Sequence, residues 1–234
     1  KKHKPILSHP FYAPIVEAIV DSSKERGYSI IIATDQDIEN SAAESLLEKR
    51  VDGIIFTGLV YEAIIKKCKE MGLPLVLLNC SIDLDVSFVK ADNYMGAYEA
   101  VVYFIKKKYR EIGFLCGPLQ DQSYYERYRG YLAALNDYNI PVRENFMRFG
   151  ESTISEGTRL MSNMLESGDV PRAIFASCDM IAIGAIKAIK KAGLKIPDDV
   201  AVIGFEDIEH NVLIEPALRS EEHTSELQSR ENLV

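Results

Sequence analysis

Short apolar runs rich in β-branched residues alternate along this chain with stretches whose apolar residues recur at helical spacing, and that alternation leaves few folds open. Ile15, Ala18 and Ile19 mark one face of a helix ending before Gly27, a residue suited to a helix C-terminus. Tyr28–Ala33 reads as a buried strand, and Leu46 and Leu47 sit on a following helix. Val51–Thr57 is a second strand, Ile64, Ile65 and Cys68 mark a helix closed by Gly72, and Pro74–Leu78 is a third strand. Strand, helix, strand in this rhythm means a parallel sheet with helices on both faces. Strands that are continuously apolar, rather than alternating, are buried on both sides.

The pattern then restarts. Strands are expected at Val86–Ala91, Ile112–Cys116, Phe146–Phe149, Ala173–Ala176 and Ala201–Phe205. Helices are expected at Met95–Lys107, Tyr124–Tyr138 with Tyr128, Tyr131, Leu132 and Leu135 inward, Ile154–Leu165, and Met180–Ala192 before Gly193. Two successive α/β series of similar size imply two lobes. Residues 1–91 are read as a partial N-terminal lobe, 92–216 as the C-terminal lobe and 217–234 as a truncated crossover with a tail.

At 234 residues, 47% hydrophobic and 26% charged, the composition is that of a soluble globular chain. The formal charge is -8, of which the tail from Arg219 holds four Glu against two Arg, so the body is acidic too. That balance excludes a nucleic-acid footprint, which needs concentrated Lys and Arg. The one tight basic run, Lys106-Lys107-Lys108, falls at an expected helix end, where cations suit the dipole. Cys68, Cys80, Cys116 and Cys178 are scattered without a CxxC pair, which fits a reduced cytoplasmic protein and suggests neither zinc nor redox chemistry. No apolar run reaches membrane-span length, and Lys1 does not open a secretory signal. GxGxxG, GxSxG, HExxH and P-loop patterns are absent, and His9 and His210 have no partner base in view, so an enzyme is disfavoured and no cofactor or metal is expected.

Several strings point in one direction. Ser8-His9-Pro10-Phe11-Tyr12 leads into the first helix, and Lys49-Arg50-Val51-Asp52-Gly53 into the second strand. Ala91-Asp92-Asn93-Tyr94-Met95-Gly96, Gly117-Pro118-Leu119 and Arg127-Tyr128-Arg129-Gly130-Tyr131 follow. Cys178-Asp179-Met180-Ile181-Ala182 then precedes Ile196-Pro197-Asp198-Asp199-Val200-Ala201-Val202-Ile203-Gly204-Phe205-Glu206-Asp207-Ile208. In their order and spacing these resemble the effector-binding core of the LacI/GalR transcription regulators, from Pro5 to Leu218. The resemblance implies a fold like that of periplasmic binding proteins, two Rossmann-like lobes with the ligand between them at the carboxyl ends of the strands. It also implies a small-molecule effector, most simply a sugar or sugar-like metabolite, a homodimer, and contact with operator DNA through a helix-turn-helix domain that precedes the core. A periplasmic solute-binding protein is the alternative with the same fold.

The resemblance assigns ligand-binding roles by position. Phe11 and Tyr12 match aromatics that cover the ligand, or else form a hydrophobic staple for the helix beginning near Pro14. Asn79 stands at a strand end where relatives place Asp, and is either a hydroxyl partner or a turn residue. Asp121 and Ser123 match loop positions that vary with the ligand. Arg127 matches an arginine whose guanidinium grips hydroxyls or a carboxylate, or else pairs on the surface with Glu126 or Glu151. As a cleft residue it should be dispensable for folding. Ser152 replaces an aromatic and is either a ligand contact or the N-cap of the next helix. Cys178 replaces a common Asn, which removes a strong hydrogen-bonding group, and Glu206 replaces a usual Asp with a longer reach.

The stretch from Arg219 to Ser229 reads, residue for residue, as an in-frame translated sequencing-library adapter. Such segments are excluded from fold reasoning. On that reading the first lobe lacks elements at both ends, and residues from Arg219 onward should make few core contacts. The chain itself should not bind operator DNA, since the counterion-release contribution has no basic face to arise from. A mobility-shift assay with steep salt dependence on the chain alone would contradict this.

Overall fold

The computed structural model describes residues 9–33, 51–58, 62–221 and 228–229. The chain divides into two compact units, Lys1–Val89 with Ser229–Val234, and Lys90–Gln228. The first unit contains α1 (Tyr12–Glu25), β1 (Ile54–Thr57), α2 (Glu62–Glu70), β2 (Leu75–Leu78) and β3 (Ser87–Lys90), whose last residue opens the second unit. Strands β1, β2 and β3 pair in parallel, with Ile54 beside Leu75 and Leu77 beside Phe88. Ile65 from α2, Leu77 from β2 and Val86 form a small core, with Phe56, Leu75 and Phe88 packed against it.

Gly27, at φ 78, closes α1 as the sequence suggested. Its N–H donates to the Lys24 carbonyl at 3.1 Å and that of Tyr28 to the Ser23 carbonyl at 2.9 Å, the paired closure that left-handed glycine permits. The segment after it departs from expectation. Tyr28–Ala33 is exposed and carries no strand ladder, with Ile31 63% accessible. A run of β-branched residues becomes a strand only where a neighbour offers its backbone, and none of the described residues does so here. Ile15 and Ile19 are half-buried, but Ala18 is exposed and α1 buries no residue fully. The expected helix at Leu46 and Leu47 and the missing initial strand lie outside the described residues.

The second unit contains α3 (Asn93–Lys106), β4 (Ile112–Cys116), α4 (Gln122–Asp137), β5 (Met147–Phe149), α5 (Ile154–Glu166), β6 (Ala173–Ala176), α6 (Asp179–Lys191), β7 (Ala201–Phe205) and β8 (Arg219–Glu221). A further two-residue strand, β9 (Gln228–Ser229), belongs to the sheet of β1–β3. The larger sheet is parallel, in the order β5-β4-β6-β7-β8. Every residue of β4, β6 and β7 is buried, which requires cover on both faces. The helices supply it as two packed pairs, α3 with α4 and α5 with α6. Phe114 of β4 stacks on Tyr131 of α4 at 4.8 Å between centroids and on Phe175 of β6 at 5.4 Å. Asp92, Asp121 and Thr153 cap α3, α4 and α5 by accepting from Met95, Ser123 and Glu156 N–H groups.

Residues 219–221 overturn the expectation of a tail without core contacts. They form β8, parallel to β7, with Arg219 beside Ile203 and Ser220 beside Gly204. The Arg219 guanidinium lies 4.0 Å from the centre of the Tyr103 ring. A parallel ladder asks only for backbone N–H and C=O groups, so any residue without a proline ring can extend the open edge of β7.

Helices α5 and α6 touch backbone to backbone. A Cβ at Gly184 would overlap the Ile154 carbonyl oxygen, and one at Gly157 would overlap that of Ile181. The Thr158 hydroxyl uses this closeness to donate to the Gly184 carbonyl at 3.1 Å. Gly184→Ala should therefore cost about 1–3 kcal/mol by forcing the pair apart. Urea denaturation should show a lower midpoint with little change in slope.

Candidate functional site

In the order β5-β4-β6-β7-β8 the chain reverses direction of travel between β4 and β6, and the carboxyl ends of strands at such a reversal are where open α/β sheets take ligands. The residues just past the strand ends are Gly117 after β4, Ser177 and Cys178 after β6, and Glu206 after β7. The Gly117 N–H donates to the Ser177 hydroxyl at 2.9 Å, tying the two strand ends.

Arg127, in the second turn of α4, reaches into this edge and is 2% exposed. Its Nε donates to Asn93 Oδ1 at 2.8 Å, and its Nη1 donates to the Ser177 carbonyl and to Glu206 Oε1, the latter at 3.2 Å. The guanidinium carbon lies 3.9 Å from the centre of the Phe205 ring and 5.4 Å from that of Tyr124. Asn93 is itself held, donating to the Ala91 carbonyl and to Glu126, which pairs with Lys90 at 2.7 Å.

Glu206 is 7% exposed and its Oε2 has no hydrogen-bond partner among the described residues. Burial pushes its carboxyl up to about 7, Asp179 adds to that, and Arg127 opposes it. Asp179 is fully buried at the start of α6 and accepts from the Ile208 N–H, Asn211 Nδ2 and the Ser220 hydroxyl at 3.0, 2.7 and 2.8 Å. Burial raises it to about 6 against the pull of those donors. Burial also pushes the Cys178 thiol well up, with Glu206 adding to the effect, and takes Cys116 to about 12. Both thiols are thus protonated and weak donors, unsuited to nucleophilic work.

The residues singled out from the sequence separate into two sets. In the first unit, Asn79 Nδ2 donates to the Tyr12 hydroxyl at 3.4 Å, and Phe11 meets Tyr12 edge-on at 5.0 Å. Asn79 is also a turn residue, at φ 54. In the second unit, Arg127, Cys178 and Glu206 come together. The surface pairing of Arg127 with Glu126 or Glu151 does not occur, because Glu126 is taken by Lys90 and Arg127 by Glu206. Asp121 is exposed and engaged as the α4 cap, while Ser123 is buried. Ser152 does not cap α5, since Thr153 does. Tyr124, Asn93, Ser177, Asp179 and Asn211 complete the polar cluster and were not anticipated. Asn93 and Asp179 stand inside the quoted strings, but nothing local marks their long-range partners. A hollow at the opposite edge of the sheet, beside Arg110, Arg143 and Arg172, carries cations already engaged by the Ile105 carbonyl, Glu111 and the Asp198 carbonyl.

This burial corrects the expectation that Arg127 is dispensable for folding. Arg127→Ala would strand Glu206 without its counter-ion, a change that costs about 3–5 kcal/mol for buried pairs. Thermal unfolding should show the loss directly. Glu206 makes a second prediction. Its folded value lies above its free value of 4.5, so the neutral carboxyl is favoured in the fold. The stability it contributes is complete below 4.5 and is lost as pH rises through about 7. Melting midpoints should fall across that window, and Glu206→Gln should flatten the decline.

Comparison with known proteins agrees with the geometry. The family described as periplasmic binding proteins and sugar binding domain of the LacI family matches residues 4–231. The Probable HTH-type transcriptional repressor ExuR of Bacillus subtilis is 33% identical over 214 residues, covering 90% of this chain and 63% of that protein. The HTH-type transcriptional repressor CytR of Escherichia coli is 29% identical over 220 residues, covering 92% of this chain and 64% of that protein. The chain thus spans somewhat less than two thirds of the length of these relatives. Among solved structures, a transcriptional regulator CelR–cellobiose complex superposes with a TM-score of 0.82 at 28% identity, covering 92% of this chain and 68% of that one. The transcription regulator CcpA of Lactococcus lactis does so at 0.80 and 28%, covering 93% and 81%. The chain belongs to the LacI family of periplasmic-binding-protein-like, sugar-binding domains.

Proposed function

We propose that this chain is the ligand-sensing core of a LacI-family transcription regulator and takes a small neutral carbohydrate at the carboxyl edge of the larger sheet. The observation that carries the reading is the buried Arg127–Glu206 pair at the topological switch point, with Glu206 Oε2 left unpartnered. A guanidinium and a carboxylate fixed side by side present donors and an acceptor at the spacing of vicinal hydroxyls. Because the pair cancels its own charge, a neutral ligand suits it better than an anion. On this reading Asp121, Ser123, Ser152 and Cys178 are the further ligand contacts that the second unit supplies.

In the intact protein the ligand would bias one conformation over another, and a helix-turn-helix domain would report that bias as a change in operator affinity. The protein would act in the cytoplasm as a homodimer. The curated relatives are repressors, which favours this reading over solute transport.

Calorimetric titration of the chain tests it. Cellobiose is the first probe, because a similar structure is described as a complex with it. Glucose, galactose, glucuronate, adenosine and inorganic phosphate complete the panel. A neutral sugar should bind, and Glu206→Gln should weaken it at least tenfold, about 1.4 kcal/mol. Binding of adenosine or phosphate with no response to any sugar would overturn the reading.

A further inference from the structure

Glu206 and Asp207 are consecutive non-glycine residues at positive φ, 114 and 49. Such backbone is strained in non-glycine residues and persists only where surrounding contacts over-determine it. Those contacts are on view. The Asp207 N–H donates to the Ser220 hydroxyl at 2.9 Å. That hydroxyl donates in turn to Asp179 Oδ1 at 2.8 Å, while Asp179 Oδ2 accepts from the Ile208 N–H at 3.0 Å and from Asn211 at 2.7 Å. The peptide groups on either side of the Asp207 Cα are thus fixed to one carboxylate, the following one directly and the preceding one through the Ser220 hydroxyl. Gly204 makes the arrangement possible, because a Cβ there would overlap Asp179 Oδ1.

We infer that in this chain Asp179 is a positioning residue for Glu206, acting in part through the hydroxyl of Ser220 from the segment that reads as adapter, and holds the turn after β7 in its left-handed conformation so that the carboxylate meets Arg127 rather than solvent. The ligand role of Glu206 rests on the function proposed above; its positioning does not. Without the latch, the turn relaxes to ordinary negative φ and the side chain leaves the buried edge. The titratable groups facing Glu206 are Arg127, Tyr124 and Asp121 from α4 and its approach, and Cys178 and Asp179 from α6 and its N-cap.

Ser220→Ala separates position from charge, because it removes the hydroxyl and leaves every ionisable group in place. The strand ladder of β8 is formed by backbone, so the variant keeps its fold, which thermal unfolding verifies. The carboxyl titration of Glu206, followed by carbon-13 resonance in the chain without ligand, is the readout. In Ser220→Ala the midpoint should drop by about one unit or more toward that of a free glutamate. Ser220→Thr, which restores the hydroxyl, should return it to the parent value. Asp179→Asn should lower it further, since an amide oxygen cannot serve all three donors and the neighbouring charge is gone. A parent-like Glu206 midpoint in Ser220→Ala overturns the inference even if Asp179→Asn lowers it, because loss of the neighbouring charge alone does that. No sugar enters this measurement, so failure of cellobiose to bind, with the titrations as expected, counts against the ligand reading alone.

Discussion

The buried guanidinium of Arg127 organises the site and much of the packing around it. A charge this far from water persists only if its donors are met and its faces covered. Asn93, the Ser177 carbonyl and Glu206 meet the donors, while Phe205 and Tyr124 lie within cation–π distance. Those partners come from α3, from the ends of β6 and β7, and from α4 itself. One side chain therefore sets the spacing of both helices against the sheet edge. The pair with Glu206 is not an economical way to stabilise a fold, since apolar residues of equal volume often do as well.

Topology explains why this group lies where it does. A parallel sheet built from crossovers of one hand must change winding direction somewhere, and the strand ends part at that point. Here the change falls between β4 and β6, and the Gly117–Ser177 hydrogen bond spans the gap. The central strands β4, β6 and β7 are apolar along their length. The polar cluster sits mostly on residues beyond the strand ends and on the flanking helices, where side chains vary without disturbing the ladder.

The periodic elements were legible in the sequence because they depend on local pattern. The bounds of β4, β6 and β7 coincide with the apolar runs, and the closures at Gly27, Gly72 and Gly193 follow from glycine at positive φ. Arg127 and Glu206 were also singled out, though as separate ligand contacts. That they bind each other, 79 positions apart in the chain, is information no window of sequence holds. The same limit explains Tyr28–Ala33, whose composition favours a strand but whose neighbours do not provide one. Ser152 and Thr153 show a finer limit. Both can cap a helix, and the choice turned on which hydroxyl faced the Glu156 N–H.

The substitutions that set this chain apart from its resemblance then have a common physical consequence. Cys178 at the N-cap of α6 makes no capping bond and is 1% exposed, so it fills space beside Glu206 without offering a strong donor. Glu206 is long enough to reach Arg127 from a turn after the strand, and in doing so keeps one carboxylate oxygen on the guanidinium and one without a partner. An Asn at the first position would compete for that second oxygen. A thiol held protonated by burial is only a weak donor, and Glu206 Oε2 is left without a partner among the described residues. The weak residue and the long one are therefore complementary, and each makes sense of the other.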